Sequence, residues 1–171
     1  MAKKKKYQEC ISTPFKTGIR NFTSVAEYFM YYAPEIDSAQ SAGGFSEEKS
    51  KKIFNKLMEK SGIKSNGIIQ KQVRKGSWKK VDLEKDELDF EYSRFLCSKY
   101  TSETELRSIL RHIRNALAHG HIYVWRKGKK GDFIFLLDMD NKKKISAKMM
   151  LSYKILEQWK AILENEIAIG E

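Results

Sequence analysis

The segment Ser102–Ala118 constrains the fold more than any other part of the chain. Leu106, Ile109, Leu110, Ile113 and Leu117 follow the i, i+3, i+4, i+7, i+11 spacing that gathers apolar side chains on one stripe of an α-helix. No strand places these five on one face, because its side chains alternate. Ser102 followed by Glu105 has the form of a capping box, and Gly120 supplies the left-handed conformation that ends many helices. Directly beyond it, Ile122-Tyr123-Val124-Trp125 and Phe133-Ile134-Phe135-Leu136-Leu137 flank a Gly-Lys-Lys-Gly tip. Short β-branched and aromatic runs around such a tip predict a β-hairpin. Aromatics facing one another across a hairpin are read as cross-strand packing rather than as base-stacking surfaces.

Helical spacing also links Ile19, Phe22, Val25, Ala26 and Phe29, which predicts a helix over Thr17 to Tyr32, ended by Pro34. Gly43-Gly44 reads as a link and Ser46-Glu47-Glu48 as a helix start. The following helix points Ile53, Phe54 and Leu57 inward. The glycines at 62, 67 and 76 make Ser61 to Val81 loop-rich, with a short helix about Ile68 to Arg74. Two further helices are expected. Asp86 to Ser98 runs through Leu88, Tyr92, Phe95 and Leu96, and Ser146 to Ile167 runs through Met149, Leu156, Trp159 and Leu163. The expected fold class is mainly α, an up-and-down helical bundle with a β-hairpin between its last two helices. One domain is expected over 1–171, with 1–12 as a mobile basic tail and 43–81 as a basic helix and loop region.

The chain is 41% hydrophobic and 32% charged, which excludes an intrinsically disordered chain and fits a soluble globular one. Cys10 and Cys97 cannot build a disulfide framework, so a reducing compartment, the cytoplasm, is expected. No run of about 18 apolar residues exists, so no membrane partner is expected. Lys and Arg number 33 against 22 Asp and Glu, a formal charge of +11, and the surplus is local. Lys49 to Lys80 holds eleven Lys and Arg against the single acid Glu59. Clustered cations attract polyanions, which makes RNA the expected partner class. Lys71, Arg74, Lys75, Trp78, Lys79, Lys80 and Arg126 are the RNA-binding positions this suggests. The alternative is a solvated lysine-rich surface with no ligand.

The residues able to carry chemistry are few. His112, His119 and His121 are the only histidines, and no HExxH or CxxC spacing accompanies them, so neither a metal nor a cofactor is expected. The run Ile113-Arg114-Asn115-Ala116-Leu117-Ala118-His119-Gly120-His121 closes the amphipathic helix. At 100° per residue Asn115 and His119 lie one turn apart, with Arg114 about 140° from His119. Arginine offers a bidentate fork to phosphate oxygens, and histidine exchanges protons near neutral pH. Arg, Asn and His gathered over one phosphate suit metal-free phosphodiester transfer. Arg107 with His112, and Arg114 with His121, show comparable spacing, so spacing alone does not single out one pair. A polar residue beside the arginine and a histidine where the helix stops favour Arg114 with His119. The competing reading has Asn115 and His119 capping the helix while Arg114 pairs with an acid.

Arg114-Asn115-Ala-Leu-Ala-His119-Gly120, after an Ile/Leu-patterned helix and before a hairpin, resembles the R-N-x-x-x-H signature of HEPN domains. More narrowly it resembles the plasmid-borne pEK499-type branch, with the likeness extending over about 86 to 168. The resemblance implies a two-fold homodimer and a helical bundle. It also implies metal-independent endoribonuclease activity in a toxin–antitoxin, abortive-infection or related defence system, with a cognate antitoxin as a further partner. By position it implies catalytic roles for Arg114, Asn115 and His119. His121 stands where members modified by a partner nucleotidyltransferase carry tyrosine, with Tyr123 two residues on, and His121 is a secondary candidate for proton transfer. The expected products are a 2′,3′-cyclic phosphate and a 5′-hydroxyl. The alternative function is a non-catalytic HEPN dimer that binds RNA or a protein partner.

Overall fold

A computed structural model describes residues 8–9, 17–63, 67–71, 94–126 and 131–169. Along these run β1 (Gln8–Glu9), α1 (Phe22–Glu27) continuing into a π-helical turn (Tyr28–Tyr32), and α2 (Glu47–Ser61). Then come β2 (Gly67–Lys71), β3 (Arg94–Lys99), α3 (Glu105–Ala118), β4 (Ile122–Arg126), β5 (Asp132–Met139), β6 (Ile145–Ser152) and α4 (Tyr153–Ala168). The strands form one sheet in the order β1-β4-β5-β6-β3-β2. Its centre, β4-β5-β6-β3, is antiparallel throughout, while β2 runs parallel to β3 at one edge. At the other edge Gln8 and Glu9, within the stretch expected as a tail, pair with Val124 and Tyr123.

The expected fold class is therefore corrected. The protein is not a mainly helical up-and-down bundle with a single hairpin; helices pack on one face of a sheet to which the hairpin contributes two strands. Two expected helices account for the error. Arg94–Lys99 is a strand, and Ile145–Ser152 is a strand that passes directly into α4 at Ser152, whose hydroxyl caps Ile155 N–H at 3.3 Å. Phe95-Leu96-Cys97 and Met149-Met150-Leu151 are continuous apolar runs, buried throughout. Such runs satisfy a helical and an extended periodicity equally. Part of the short helix expected about Ile68 to Arg74 is likewise strand, β2. The rest of it, and most of the helix expected from Asp86, lie outside the described residues.

The register shows which strand residues share the core with the helices. Three rows of cross-strand neighbours point into the shared core: Leu151–Ile134–Val124, Phe95–Met149–Leu136–Ile122 and Cys97–Ala147–Asp138. Leu106, Ile109, Leu110, Ile113, Ala116 and Leu117 of α3 and Leu156, Trp159 and Leu163 of α4 complete that core. The last row ends on an acid, and its middle member is the smallest side chain in the three rows. In the hairpin, Tyr123 and Phe135 are directly opposed with ring centroids 5.7 Å apart, the cross-strand packing expected of them.

Local chemistry sets the helix ends. Pro34 holds Ala33 extended (ψ 144°), which stops the π-turn. Ser46 caps α2 by accepting from Lys49 N–H at 3.3 Å. The expected capping box at Ser102 does not form: Thr104 caps α3, accepting from Arg107 N–H at 3.2 Å. Glu105 instead pairs with Lys99 at 2.6 Å. Two lysines of the basic segment are engaged within the fold: Lys56 pairs with the Glu166 carboxylate at 2.6 Å, and Lys49 donates to the Glu166 main-chain carbonyl at 2.9 Å. No helix of the described residues is long and apolar enough to cross a membrane.

Candidate active site

Helix α3 carries the R-N-x-x-x-H run, and a buried ionic network fixes it to the sheet. Ser108 donates its hydroxyl to the Ser98 carbonyl of β3 at 2.7 Å. One turn on, His112 is fully buried, with Nδ1 2.6 Å from Asp138 Oδ2 on β5 and Nε2 2.7 Å from the Ser98 carbonyl oxygen. A carboxylate and a carbonyl both accept, so each ring nitrogen faces an acceptor. Ser98 Oγ and Arg111 Nη2 also lie 3.3 Å from Nε2, but the shorter contact with the carbonyl decides the donor. The ring spans from β5 to β3 across β6, where the register places Ala147. A methyl side chain leaves room there.

Arg111 extends the network. Its Nε donates to Glu103 Oε1 at 2.6 Å and its Nη2 to Glu103 Oε2 at 2.9 Å, a bidentate pair, and its guanidinium stacks 4.4 Å from the Tyr100 ring centroid. Burial alone lowers the Arg111 pKa, but the hydrogen bond and charge of Glu103 turn the net shift upward. Asp138 behaves in the mirror sense. Burial raises its pKa, yet the hydrogen bond and charge of His112, with hydrogen bonds from Ser146 and Asn115, hold the carboxyl below its ordinary range. Ser146 reaches it because the register shifts between Asp138 and Met139, leaving Ser146 the extra residue of a β-bulge.

The signature residues sit on the outer side of this network. Asn115 Nδ2 donates to Asp138 Oδ2 at 3.3 Å, and Arg114 Nη1 donates to Asn115 Oδ1 at 3.3 Å. Spacing alone would set Asn115 over one phosphate with Arg114 and His119. Its amide meets Asp138 and Arg114 instead, and among the described residues only its main-chain carbonyl meets His119, accepting from His119 N–H at 2.9 Å. Arg114 and Asn115 are half-buried and His119 is exposed. Among the described residues no carboxylate pairs with Arg114 within salt-bridge distance. Of the competing reading, His119 does stand at the C-cap of α3, while the described residues give Arg114 no acid.

A backbone motif places the two terminal histidines. Gly120 adopts φ 70°, as the sequence predicts. His121 N–H then bonds the Ala116 carbonyl at 2.9 Å and Gly120 N–H the Leu117 carbonyl at 3.2 Å, the two bonds of a Schellman ending. The His121 carbonyl accepts from Leu137 N–H at 3.1 Å, which ties the turn to β5. This reversal brings the His119 and His121 rings to a centroid separation of 6.0 Å at 31°. His121 is half-buried, its Nδ1 enclosed and without a hydrogen-bond partner among the described residues.

Of the expected RNA-binding positions, Arg74, Lys75, Trp78, Lys79 and Lys80 lie outside the described residues. For Lys71 and Arg126 only the backbone is described, at the ends of β2 and β4. Among the described residues no group of three His, Cys, Asp or Glu could hold a metal ion. An open groove of about 430 Å³ lies elsewhere, lined by Ser24, Glu27, Tyr28, Lys160 and Glu164 among others, and takes nothing from α3. Sequence reasoning missed Asp138, Glu103 and Arg111 as partners. A signal existed for the first: the Ile134, Leu136 alternation carries Asp138 to the core face.

The sheet-backed helix α3 thus ends in an arginine, an asparagine and an exposed histidine. The family model HEPN pEK499 p136 matches residues 10–167, and the chain belongs to that HEPN family. No curated protein and no solved structure matches it.

Proposed function

We propose that the protein is a metal-independent endoribonuclease of a toxin–antitoxin, abortive-infection or related defence system, acting in the cytoplasm as a homodimer. The observation that carries this reading is the pairing of two groups on one helix end. Arg114 is tethered by Asn115 and has no carboxylate partner among the described residues, and His119 is exposed at the cap that follows.

The chemistry follows from those groups. The ribose 2′-oxygen attacks the adjacent phosphorus and the 5′-oxygen leaves, giving a 2′,3′-cyclic phosphate and a 5′-hydroxyl. His119 moves a proton, from the 2′-hydroxyl or to the departing oxygen. Arg114 donates to the nonbridging oxygens, where negative charge builds in the transition state. Proton removal and proton delivery need two groups. His121, 6.0 Å away ring to ring, is one source of the second; the same helix end of the other subunit is another. RNA, and a cognate antitoxin able to cover this helix end, are the partners of this reading.

The test is RNA cleavage by the purified chain in EDTA, beside Arg114→Ala and His119→Ala. Each substitution is expected to lower the rate roughly 100-fold or more, without changing the melting point for His119→Ala. Cleavage that survives both overturns the proposal, and salt-sensitive RNA binding without cleavage supports the non-catalytic dimer instead.

A further inference from the structure

We infer that Asp138, held in place by His112, is a positioning residue for Arg114: it dictates which way the Asn115 amide faces, and that amide presents its oxygen to the guanidinium. The inference rests on the proposed role of Arg114 as the phosphate-binding group.

The argument is one of hydrogen-bond polarity. A primary amide has nearly the same shape whichever way it is turned, and a neutral neighbour could accept from it or donate to it. A carboxylate only accepts, so Asp138 Oδ2 selects the NH2 end of Asn115 at 3.3 Å. The carbonyl end then points the other way and accepts from Arg114 Nη1 at 3.3 Å. Turned over, the amide would set oxygen against oxygen at Asp138 and N–H against N–H at Arg114.

The carboxylate itself is not free to move. His112 Nδ1 grips the same Oδ2 at 2.6 Å, and the far side of the ring is fixed on the Ser98 carbonyl at 2.7 Å. Ser146, the bulge residue, also bonds Asp138. A continuous chain of donors and acceptors thus runs from the β3 backbone through His112, Asp138 and Asn115 to Arg114. A long arginine side chain loses much rotamer freedom when it is held. Here the holding is done before any anion arrives, by groups anchored in the sheet.

The chain makes a prediction that a merely structural role does not. In Asp138→Asn the polarity signal is lost, so kcat should fall roughly tenfold, toward the hundredfold that a misplacement of about 1 Å can cost, with KM little changed. In an Asn115→Ala background the same substitution should cause no further loss, because the link is already cut. Independent losses that multiply would overturn the inference. Arg114→Ala and His119→Ala run beside these variants report on the nuclease reading itself.

A second readout does not depend on cleavage. In the nitrogen-15 NMR spectrum the Arg114 guanidinium and Asn115 amide signals should both move in Asp138→Asn. Unchanged Arg114 signals overturn the relay even if the wild type cleaves no RNA. Should Asp138→Asn not fold, Asp138→Glu keeps the charge and displaces the acceptor, and the same shifts are expected.

Discussion

Replacing Asp138 by alanine should be among the most damaging single changes in this protein. The substitution leaves the His112 ring, fully buried and 2.6 Å from the lost oxygen, without its carboxylate partner. It also strands the Asn115 amide and the Ser146 hydroxyl. Removing one partner of a buried, hydrogen-bonded carboxylate–imidazole pair costs about 3–5 kcal/mol, against a total stability of roughly 5–15 kcal/mol for a domain. At about 2–4 °C per kcal/mol for a chain of this size, the melting point should fall by roughly 6–20 °C. Replacing both members, His112→Leu with Asp138→Leu, removes the stranded polar ring along with its partner and should recover much of the loss. Urea unfolding followed by the fluorescence of the fully buried Trp159 measures all the variants of the cycle. The reasoning is refuted by a cost below about 1 kcal/mol for Asp138→Ala, or by a double variant whose loss equals the sum of its two singles.

Three further expectations use the same geometry. At Gly120, φ is 70° and a Cβ would meet nothing within 4 Å, so Gly120→Ala should cost only the left-handed conformation, about 1–2 kcal/mol by thermal melting. Gly120→Asn should cost less, and equal costs would show that the turn is not held in this conformation. Ala147→Leu adds bulk in the row between Asp138 and Cys97, where the ring of His112 crosses. A loss of about 1–3 kcal/mol is expected from overpacking, and a neutral result would place the ring elsewhere. The Asp138 carboxyl is held below its ordinary value of 3.8. Its contribution is therefore complete above that value and is lost as pH falls through the lowered one, with the proton taken up preferentially by the unfolded chain. Stability measured from about pH 5 down to pH 2 should drop less steeply in Asp138→Asn than in the wild type.

What the sequence determined by itself is the local part of the protein. Helix α3, its stop at Gly120 and the β4–β5 hairpin depend on spacings within one turn or one strand pair, and on a glycine's access to positive φ. The nomination of Arg114 and His119 came from the same short range, through adjacency and a helix end. Tertiary structure alone decided the fold class, because the apolar runs at Phe95 and Met149 suit helix or strand equally. Each became a strand through pairing with the other, more than fifty positions away. It likewise decided what Asn115 does. The acid that turns its amide toward Arg114 lies 23 residues along the chain, on a strand whose inward face exists only once the sheet has formed.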